Sequence, residues 1–263
     1  MRIAHVQPLS LLDYPGKVSA VVWTVGCNLR CPFCYNAELV LPELAGGLPR
    51  VPLGAILALL RERVGFLDGV VVTGGEPTLN AELPVFLREL KELGFLVKLD
   101  TNGTRPDVLR SLLDDGLVDY VALDVKAPFP RYPEFTGLCV RPVASESVSE
   151  GCSISAPVPD CCSVAEDMSD FVARVRESMA VVRDRAPDYE FRTTVAPGIA
   201  RDDLVAIAGE IRGARRYALQ PFFVPAGKRL VNETWRARAA LAPDALRALL
   251  PALQGPVRTE LRA

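Results

Sequence analysis

The chain has 263 residues, 49% of them hydrophobic, which is enough to build one large α/β domain or two small ones around a buried core. Its 30 basic and 32 acidic residues give a formal net charge of −2, without the strong basic bias of a nucleic-acid-binding protein. No apolar run is long enough to span a membrane and MRIAHVQPLSLLDYPGK does not resemble a signal peptide, so we expect a cytoplasmic protein.

The hydrophobic pattern alternates between strands and helices. Apolar, β-branched segments predict strands at Val18–Val25, Gly69–Thr73, Phe95–Asp100, Tyr120–Val125, Tyr189–Val195 and Tyr217–Phe222. Helical periodicity predicts helices at Ile56–Val64, about 80–94, Pro106–Asp115, Ser169–Arg185, Asp202–Arg212 and Pro243–Leu253. Asn80 is the expected N-cap of the second helix and Gly94 its stop signal. Strands separated by helical crossovers predict an α/β fold with a parallel sheet, here a partial (β/α)6 TIM-like barrel.

Residues at about 137–170 interrupt this alternation. The stretch is rich in Ser, Pro and Cys and has neither helical nor strand periodicity. A segment of this length without regular structure inside a compact domain is usually functional or disordered. We therefore interpret the chain as a single domain, 1–263, with an insertion between a strand and its helix.

Three of the seven cysteines form a compact motif. Cys27, Cys31 and Cys34 have the spacing C-x3-C-x2-C directly after the first predicted strand. Thiolates are soft ligands that select iron–sulfur clusters, zinc or copper(I). Because a cubane cluster usually takes four cysteines, three of them leave one iron open to a reacting molecule. The alternatives are a zinc site or buried structural thiols, but structural zinc takes four ligands and His5 is the only histidine.

Polar residues lie near the carboxyl ends of the predicted strands, where a parallel barrel places its active site. The set comprises Gly74–Pro77, Asp100–Asn102, Asp124, Lys126, Arg192, Thr194 and Gln220. Gly74 and Gly75 lack a Cβ, which lets the backbone approach a ligand closely. The plain alternatives are a strand-to-helix turn at Gly74–Pro77 and a tight turn at Asn102.

The cysteine motif together with Gly74-Gly75-Glu76-Pro77 resembles the signature of the radical S-adenosylmethionine (SAM) superfamily. SLLDYPGKVSAVVWTVGCNLRCPFCYN is similar to the activating enzymes of glycyl radical enzymes, and most resembles those of anaerobic ribonucleoside-triphosphate reductase. The segments LDTNG, DVKAP, RTTVAPG and LQPF extend the resemblance over most of the chain outside the insertion. Tyr35 departs from it, because these enzymes commonly have His at this position.

The resemblance implies an oxidoreductase with a barrel of the radical SAM type and one [4Fe–4S] cluster on Cys27, Cys31 and Cys34. SAM would coordinate the open iron and be cleaved to methionine and a 5′-deoxyadenosyl radical. The resemblance assigns SAM contacts to Phe33, Gly74, Gly75, Glu76, Pro77, Asn102, Asp124, Lys126 and Arg192. It assigns a monovalent cation to Asp100, Thr101 and Asp124. The alternatives are a core aromatic at Phe33 and a solvated lysine at Lys126.

The substrate that the resemblance implies is a glycine Cα–H in a partner protein, anaerobic ribonucleotide reductase. A flavodoxin or a ferredoxin-type protein would supply the electron. The main alternative is a radical SAM enzyme that acts on a small molecule, such as a nucleoside precursor. A third interpretation, an iron–sulfur electron carrier or sensor, explains the cysteines but gives no reason for Gly74–Pro77.

The other four cysteines, Cys139, Cys152, Cys161 and Cys162, all fall in the insertion. Four thiols so close in sequence could supply a second cluster or a zinc site. Their spacings lack C-x2-C pairs, and the adjacent Cys161 and Cys162 point in different directions in an extended chain. We therefore favour a loop near the barrel mouth, in contact with the partner protein or merely tolerated, over a second metal centre.

Overall fold

The computed structural model describes residues 1–138 and 167–262. Their strands form one sheet in chain order: β1 Ile3–Ser10, β2 Ser19–Thr24, β3 Gly69–Gly74, β4 Leu96–Thr101, β5 Tyr120–Asp124, β6 Asp188–Val195, β7 Tyr217–Pro221 and β8 Thr259–Leu261. β1 is antiparallel to β2, and every later pair of neighbours is parallel. Within the described residues β1 and β8 are the two edges of the sheet, which is therefore not closed.

The predicted partial α/β barrel is confirmed, and all six predicted strands lie within one residue of their expected bounds. Two edge strands, β1 and β8, were not predicted. β1 exposes several consecutive side chains to solvent, so it lacks the alternation of a half-buried strand. β8 has three residues, which is too short for any periodicity to appear.

Helices cover the outside of the sheet: α1 Ala37–Val40, α2 Pro42–Ala45, α3 Leu53–Arg61, α4 Leu83–Glu92, α5 Pro106–Asp114, α6 Tyr132–Thr136, α7 Met168–Arg185, α8 Arg201–Glu210 and α9 Pro243–Leu253. Short 3₁₀ helices lie at Pro77–Leu79, Phe129–Arg131 and Glu233–Ala237. In the part of the chain that the structure describes, no helix is long and apolar enough to cross a membrane.

The expected N-cap at Asn80 is wrong. Pro77 begins a 3₁₀ helix directly after the glycine turn, and the Glu76 side chain accepts a hydrogen bond from the backbone N–H of Thr78 at its start. Asn80 ends this short helix, and α4 begins only after Glu82. Asn80 therefore caps the end of the preceding 3₁₀ helix, which the sequence pattern does not reveal.

The two faces of the sheet differ in character because strand side chains alternate between them. The outer face is apolar and packs against the helices in one large core that contains Val22, Val72, Leu99 and Phe86. The inner face has only a small apolar cluster, formed by Tyr14, Val21, Val71, Tyr120 and Ala122. Nearer the carboxyl ends of the strands, the inner positions are polar or charged, which places the functional side chains inside the barrel.

Most of the insertion lies outside the described residues, and so do Cys139, Cys152, Cys161 and Cys162. Our interpretation of these cysteines therefore stays a prediction. On the described side, Asp167 caps α7 by accepting a hydrogen bond from the backbone N–H of Ser169, and the helix begins at Met168.

Candidate active site

A cavity of about 220 Å³ lies at the carboxyl ends of the strands. It brings together residues that are far apart in the sequence. The predicted site residues that line it are Cys27, Cys31, Phe33, Cys34, Gly74, Gly75, Glu76, Asp100, Thr101, Asn102, Asp124, Lys126 and Arg192. Pro77 does not line the cavity, since it starts the 3₁₀ helix behind the glycine turn.

The three thiols of the motif are free, with Cys31 buried and the other two partly exposed. Burial raises the pKa of all three, that of Cys27 to about 12. Metal ligation by thiolates therefore needs positive charge in the cavity, which a bound metal supplies. In the described residues no three His, Cys, Asp or Glu side chains are arranged to hold a single metal ion. A cubane cluster distributes its thiolates over several irons, so the donor set fits a cluster without such convergence.

Gly74 and Gly75 pack against the backbone that leads to the cysteine motif. The backbone N–H of Gly75 donates to the Thr24 carbonyl at 2.9 Å, and that of Glu76 donates to the Gly26 carbonyl at 2.7 Å. A Cβ on Gly75 would lie 2.0 Å from the Gly26 carbonyl oxygen. Gly74 has a φ of 119°, a conformation that favours glycine. Both glycines are thus needed because two strand ends meet at this point. Their peptide groups also lie near the cavity.

The Glu76 carboxylate is 1% exposed and accepts four hydrogen bonds from the protein. Oε1 accepts from the backbone N–H and hydroxyl of Thr78 and, at 2.8 Å, from the Thr101 hydroxyl. Oε2 accepts from the backbone N–H of Asn102 at 2.7 Å. Burial raises the pKa of Glu76, and these donors offset part of the rise. Glu76 therefore holds the end of β4 against the glycine turn, a positioning role that the sequence did not predict.

Asn102 connects β4 to the cysteine motif. Its Nδ2 donates to Asn28 Oδ1 at 2.9 Å and lies 3.9 Å from the Cys27 sulfur. Its Oδ1 accepts from the backbone N–H and the hydroxyl of Thr104, and this hydroxyl also accepts from Asn28 Nδ2 at 2.9 Å. Sequence analysis missed Asn28 and Thr104, because polar loop residues carry no periodic signal and their pairing is tertiary.

Five charged side chains alternate in sign across the inner ends of β4, β5 and β6, and we call them the charge ladder. Lys98 pairs with Asp100, Asp100 with Arg192 at 3.0 Å, Arg192 with Asp124 at 2.8 Å, and Asp124 with Lys126 at 2.7 Å. Although burial by itself raises the pKa of both carboxyl groups, the neighbouring cations hold the two pKa values below the ordinary range. Sequence analysis identified every member of the ladder except Lys98.

Phe33 belongs to an aromatic cluster and also lines the cavity. Its ring centroid lies 6.4 Å from that of Phe135 and 6.2 Å from that of Trp235. The structure therefore gives Phe33 a place in the core, and its contact with adenine stays a prediction.

Further polar side chains line the cavity from strand positions: Trp23, Thr73, Thr194 and Gln220. The indole Nε1 of Trp23 is buried as well as unpaired. Trp23 is in register with Thr73, and Thr194 with Gln220. Sequence analysis missed Trp23 and Thr73 because they fall in apolar strand segments. In such segments the sequence does not show which side chains face the cavity and which face the core.

Comparison with known proteins agrees with this geometry. The sequence profile of the Radical SAM superfamily matches residues 21–145. A Methanocaldococcus jannaschii protein with the provisional name glycyl-radical enzyme activating enzyme is 32% identical over 222 residues, 84% of this chain and 79% of that protein. The 7-carboxy-7-deazaguanine synthase of Methanopyrus kandleri is 34% identical over 148 residues, 49% of this chain and 58% of that enzyme.

The fold is also similar to that of solved structures. Streptococcus suis SuiB bound to S-adenosylmethionine aligns with a TM-score of 0.60 and 12% identity, over 92% of this chain. The chain spans about half the length of SuiB, 52%. At this identity the likeness concerns the fold alone.

Proposed function

The chain belongs to the radical SAM superfamily, and we propose that it is an activating enzyme that generates a glycyl radical on a partner enzyme. The family implies a [4Fe–4S] cluster and SAM as cofactors. The observation that carries the proposal is that one cavity is lined by the cysteine motif, the glycine turn and four members of the charge ladder, Asp100, Asp124, Lys126 and Arg192. Similarity over 84% of the chain to the Methanocaldococcus jannaschii relative supports a protein substrate. We infer from the sequence motifs that the partner is anaerobic ribonucleoside-triphosphate reductase.

We assign the cluster to Cys27, Cys31 and Cys34, whose sulfurs are the soft donors it requires. When bound, the reduced cluster supplies the electron that cleaves SAM into methionine and the radical that abstracts hydrogen from glycine Cα. The peptide carbonyls near Gly74 and Gly75 would accept hydrogen bonds from the SAM amino group. Lys126, at the end of the charge ladder, would pair with the SAM carboxylate.

The access route agrees with a protein substrate. Because the sheet formed by the described residues stays open between β1 and β8, a loop of a partner protein can enter the barrel from the side. Tyr35 lines the cavity while 37% exposed, so it lies at the mouth that such a loop would cross. A flavodoxin or a ferredoxin-type protein would act as electron donor, in the reducing cytoplasm that keeps the thiols free.

Radical transfer to a protein is the direct test of the proposal. The reconstituted enzyme, incubated anaerobically with SAM, a reductant and the anaerobic ribonucleotide reductase of the same organism, should produce a glycyl doublet in electron paramagnetic resonance. A reductase whose radical-bearing glycine is replaced by alanine is the matched control and should give no doublet. Efficient SAM turnover on a small molecule, with no doublet from the intact reductase, would instead contradict the assignment.

Replacing Lys126 with alanine should weaken SAM binding about tenfold to hundredfold, because a charge-assisted hydrogen bond contributes about 1.5–3 kcal/mol. Cluster content should stay near that of the wild type, since Lys126 is not a ligand. Equilibrium titration with SAM measures the effect. Lys91→Ala is the control, because it removes a lysine that pairs with Asp119 away from the cavity. Equal SAM affinity in Lys126→Ala and Lys91→Ala would refute the assigned contact.

A small-molecule substrate is the second candidate, and a specific observation favours it. Trp23, Thr73, Thr194 and Gln220 offer hydrogen-bonding groups to the cavity, and the buried indole N–H of Trp23 has no hydrogen-bond partner among the described residues. Such convergent groups typically orient a polar ligand. The similarity to a 7-carboxy-7-deazaguanine synthase over about half of the chain points in the same direction. Product analysis in the radical-transfer experiment above distinguishes the two candidates.

A further inference from the structure

The two carboxylates that the family resemblance assigns to a monovalent cation are already paired within the protein. Asp100 contacts Lys98 through one oxygen and Arg192 through the other. Asp124 likewise contacts Arg192 and Lys126, each through a different oxygen. Each carboxylate oxygen of the pair thus has a cationic side chain within hydrogen-bond distance.

The third residue assigned to the cation is also engaged. The Thr101 hydroxyl donates to Glu76 at 2.8 Å and accepts from the backbone N–H of Gly103 at 3.2 Å. In the charge ladder as a whole, three cations face two carboxylates, a net charge of +1. Another cation would raise this charge to +2 inside a largely buried site, where like charges repel strongly. The residues present therefore do not fit an added monovalent cation.

Lys98 supplies the third positive charge, which gives the charge ladder its net charge of +1. It is 1% exposed, and its ammonium has Asp100 as ionic partner and lies 5.9 Å from the centroid of the Tyr120 ring. A buried ion pair adds little stability, because desolvation offsets the attraction, so the ladder points to a binding role rather than to stability. Without Lys98 the ladder would be neutral and one oxygen of Asp100 would be unpaired.

We propose that the Lys98 ammonium takes the place of the monovalent cation, so that the enzyme binds SAM without potassium or sodium. A lysine ammonium is a compact monovalent charge that can donate hydrogen bonds to carboxylate oxygens, as a metal cation would coordinate them. With Lys98 present, the ladder carries +1 and the carboxylate of SAM neutralises it. The inference rests on the proposed SAM site, and Lys98 is a positioning residue that acts through Asp100.

The test compares the SAM affinity of the reconstituted protein in potassium chloride and in choline chloride at equal ionic strength, by isothermal titration calorimetry. The wild type should bind equally in both salts, within about twofold. Lys98→Met should bind about tenfold more weakly in choline, as expected for one lost charge-assisted interaction, and should recover in potassium. Lys98→Arg keeps the charge and should remain independent of the salt. Lys91→Met, at a lysine that pairs with Asp119 and not with the charge ladder, controls for general loss of charge.

Melting temperature gives a second readout that needs neither SAM nor turnover. Potassium should raise the melting temperature of Lys98→Met relative to choline but leave that of the wild type unchanged. Wild-type binding that is about tenfold tighter in potassium than in choline would overturn the proposal, and so would a Lys98→Met protein indifferent to potassium in both readouts. If Lys98→Met does not fold, the wild-type comparison still decides. Failure of the wild type to bind SAM in either salt would refute the proposed function, whereas the melting data would still test the role of Lys98.

Discussion

Replacing Cys31 with alanine is expected to abolish SAM cleavage and to deplete bound iron. Cys31 is the most buried of the three motif thiols, and no other cysteine among the described residues is available to replace it. Two remaining thiolates would leave two irons of a cubane without protein ligands. Production of 5′-deoxyadenosine after anaerobic reconstitution measures the first effect, and iron and sulfide analysis measures the second.

The control for this experiment is Cys139→Ala, in the insertion, which should retain both activity and iron. The wild type should contain about four irons per chain, as one cubane cluster requires. A Cys31→Ala protein that still forms 5′-deoxyadenosine at the wild-type rate would disprove the cluster assignment. About eight irons, falling to about four when the insertion cysteines become serine, would instead establish the second cluster against which we predict.

Replacing Gly75 with alanine should destabilise the fold by about 3 kcal/mol or more, the upper end of the cost of overpacking. The new Cβ would meet the Gly26 carbonyl oxygen at 2.0 Å and its carbonyl carbon at 2.6 Å. Backbone atoms cannot rotate away as the end of a side chain can, so the turn must shift. Since Gly26 precedes Cys27 directly, cluster binding should be lost as well. Urea unfolding of the cluster-free protein measures the stability.

Gly54→Ala provides the matched substitution. A Cβ on Gly54, in the first turn of α3, would have no atom within 4 Å and the residue has no positive φ. Alanine there should stabilise the protein by about 0.5–1 kcal/mol, because it reduces the conformational freedom of the unfolded chain. If Gly75→Ala unfolds at the same urea concentration as Gly54→Ala, the close approach of the two strand ends is not what requires glycine.

Two predicted site residues make contacts with other protein groups in the structure. Glu76 is predicted to contact SAM, and in the structure its carboxylate accepts hydrogen bonds from Thr101 at the end of β4 and from the backbone N–H of Asn102. Arg192 is also predicted to contact SAM, and its guanidinium bridges Asp100 and Asp124. Both residues thus shape the cavity through other protein groups, so a loss of SAM binding in their variants would not by itself identify a direct contact.

The sequence by itself determined the motif cysteines, the glycine turn and the six inner strands, because each depends on local features. Short spacings between soft ligands, a lack of Cβ and runs of β-branched residues are visible without any knowledge of chain path. The same local features predicted that polar residues near the strand ends would meet at one edge of the sheet. These polar residues line the cavity.

Tertiary structure alone decided which of these residues contact one another. Lys98 and Trp23 lie in apolar strand segments, and only the assembled sheet shows that Trp23 lines the cavity and that Lys98 pairs with Asp100 on the same inner face. Asn28 and Thr104 meet across 76 positions of sequence. Ion pairs and hydrogen bonds are short-range and directional, so sequence patterns predict which residues are able to form them, whereas the packing of the sheet determines which ones do.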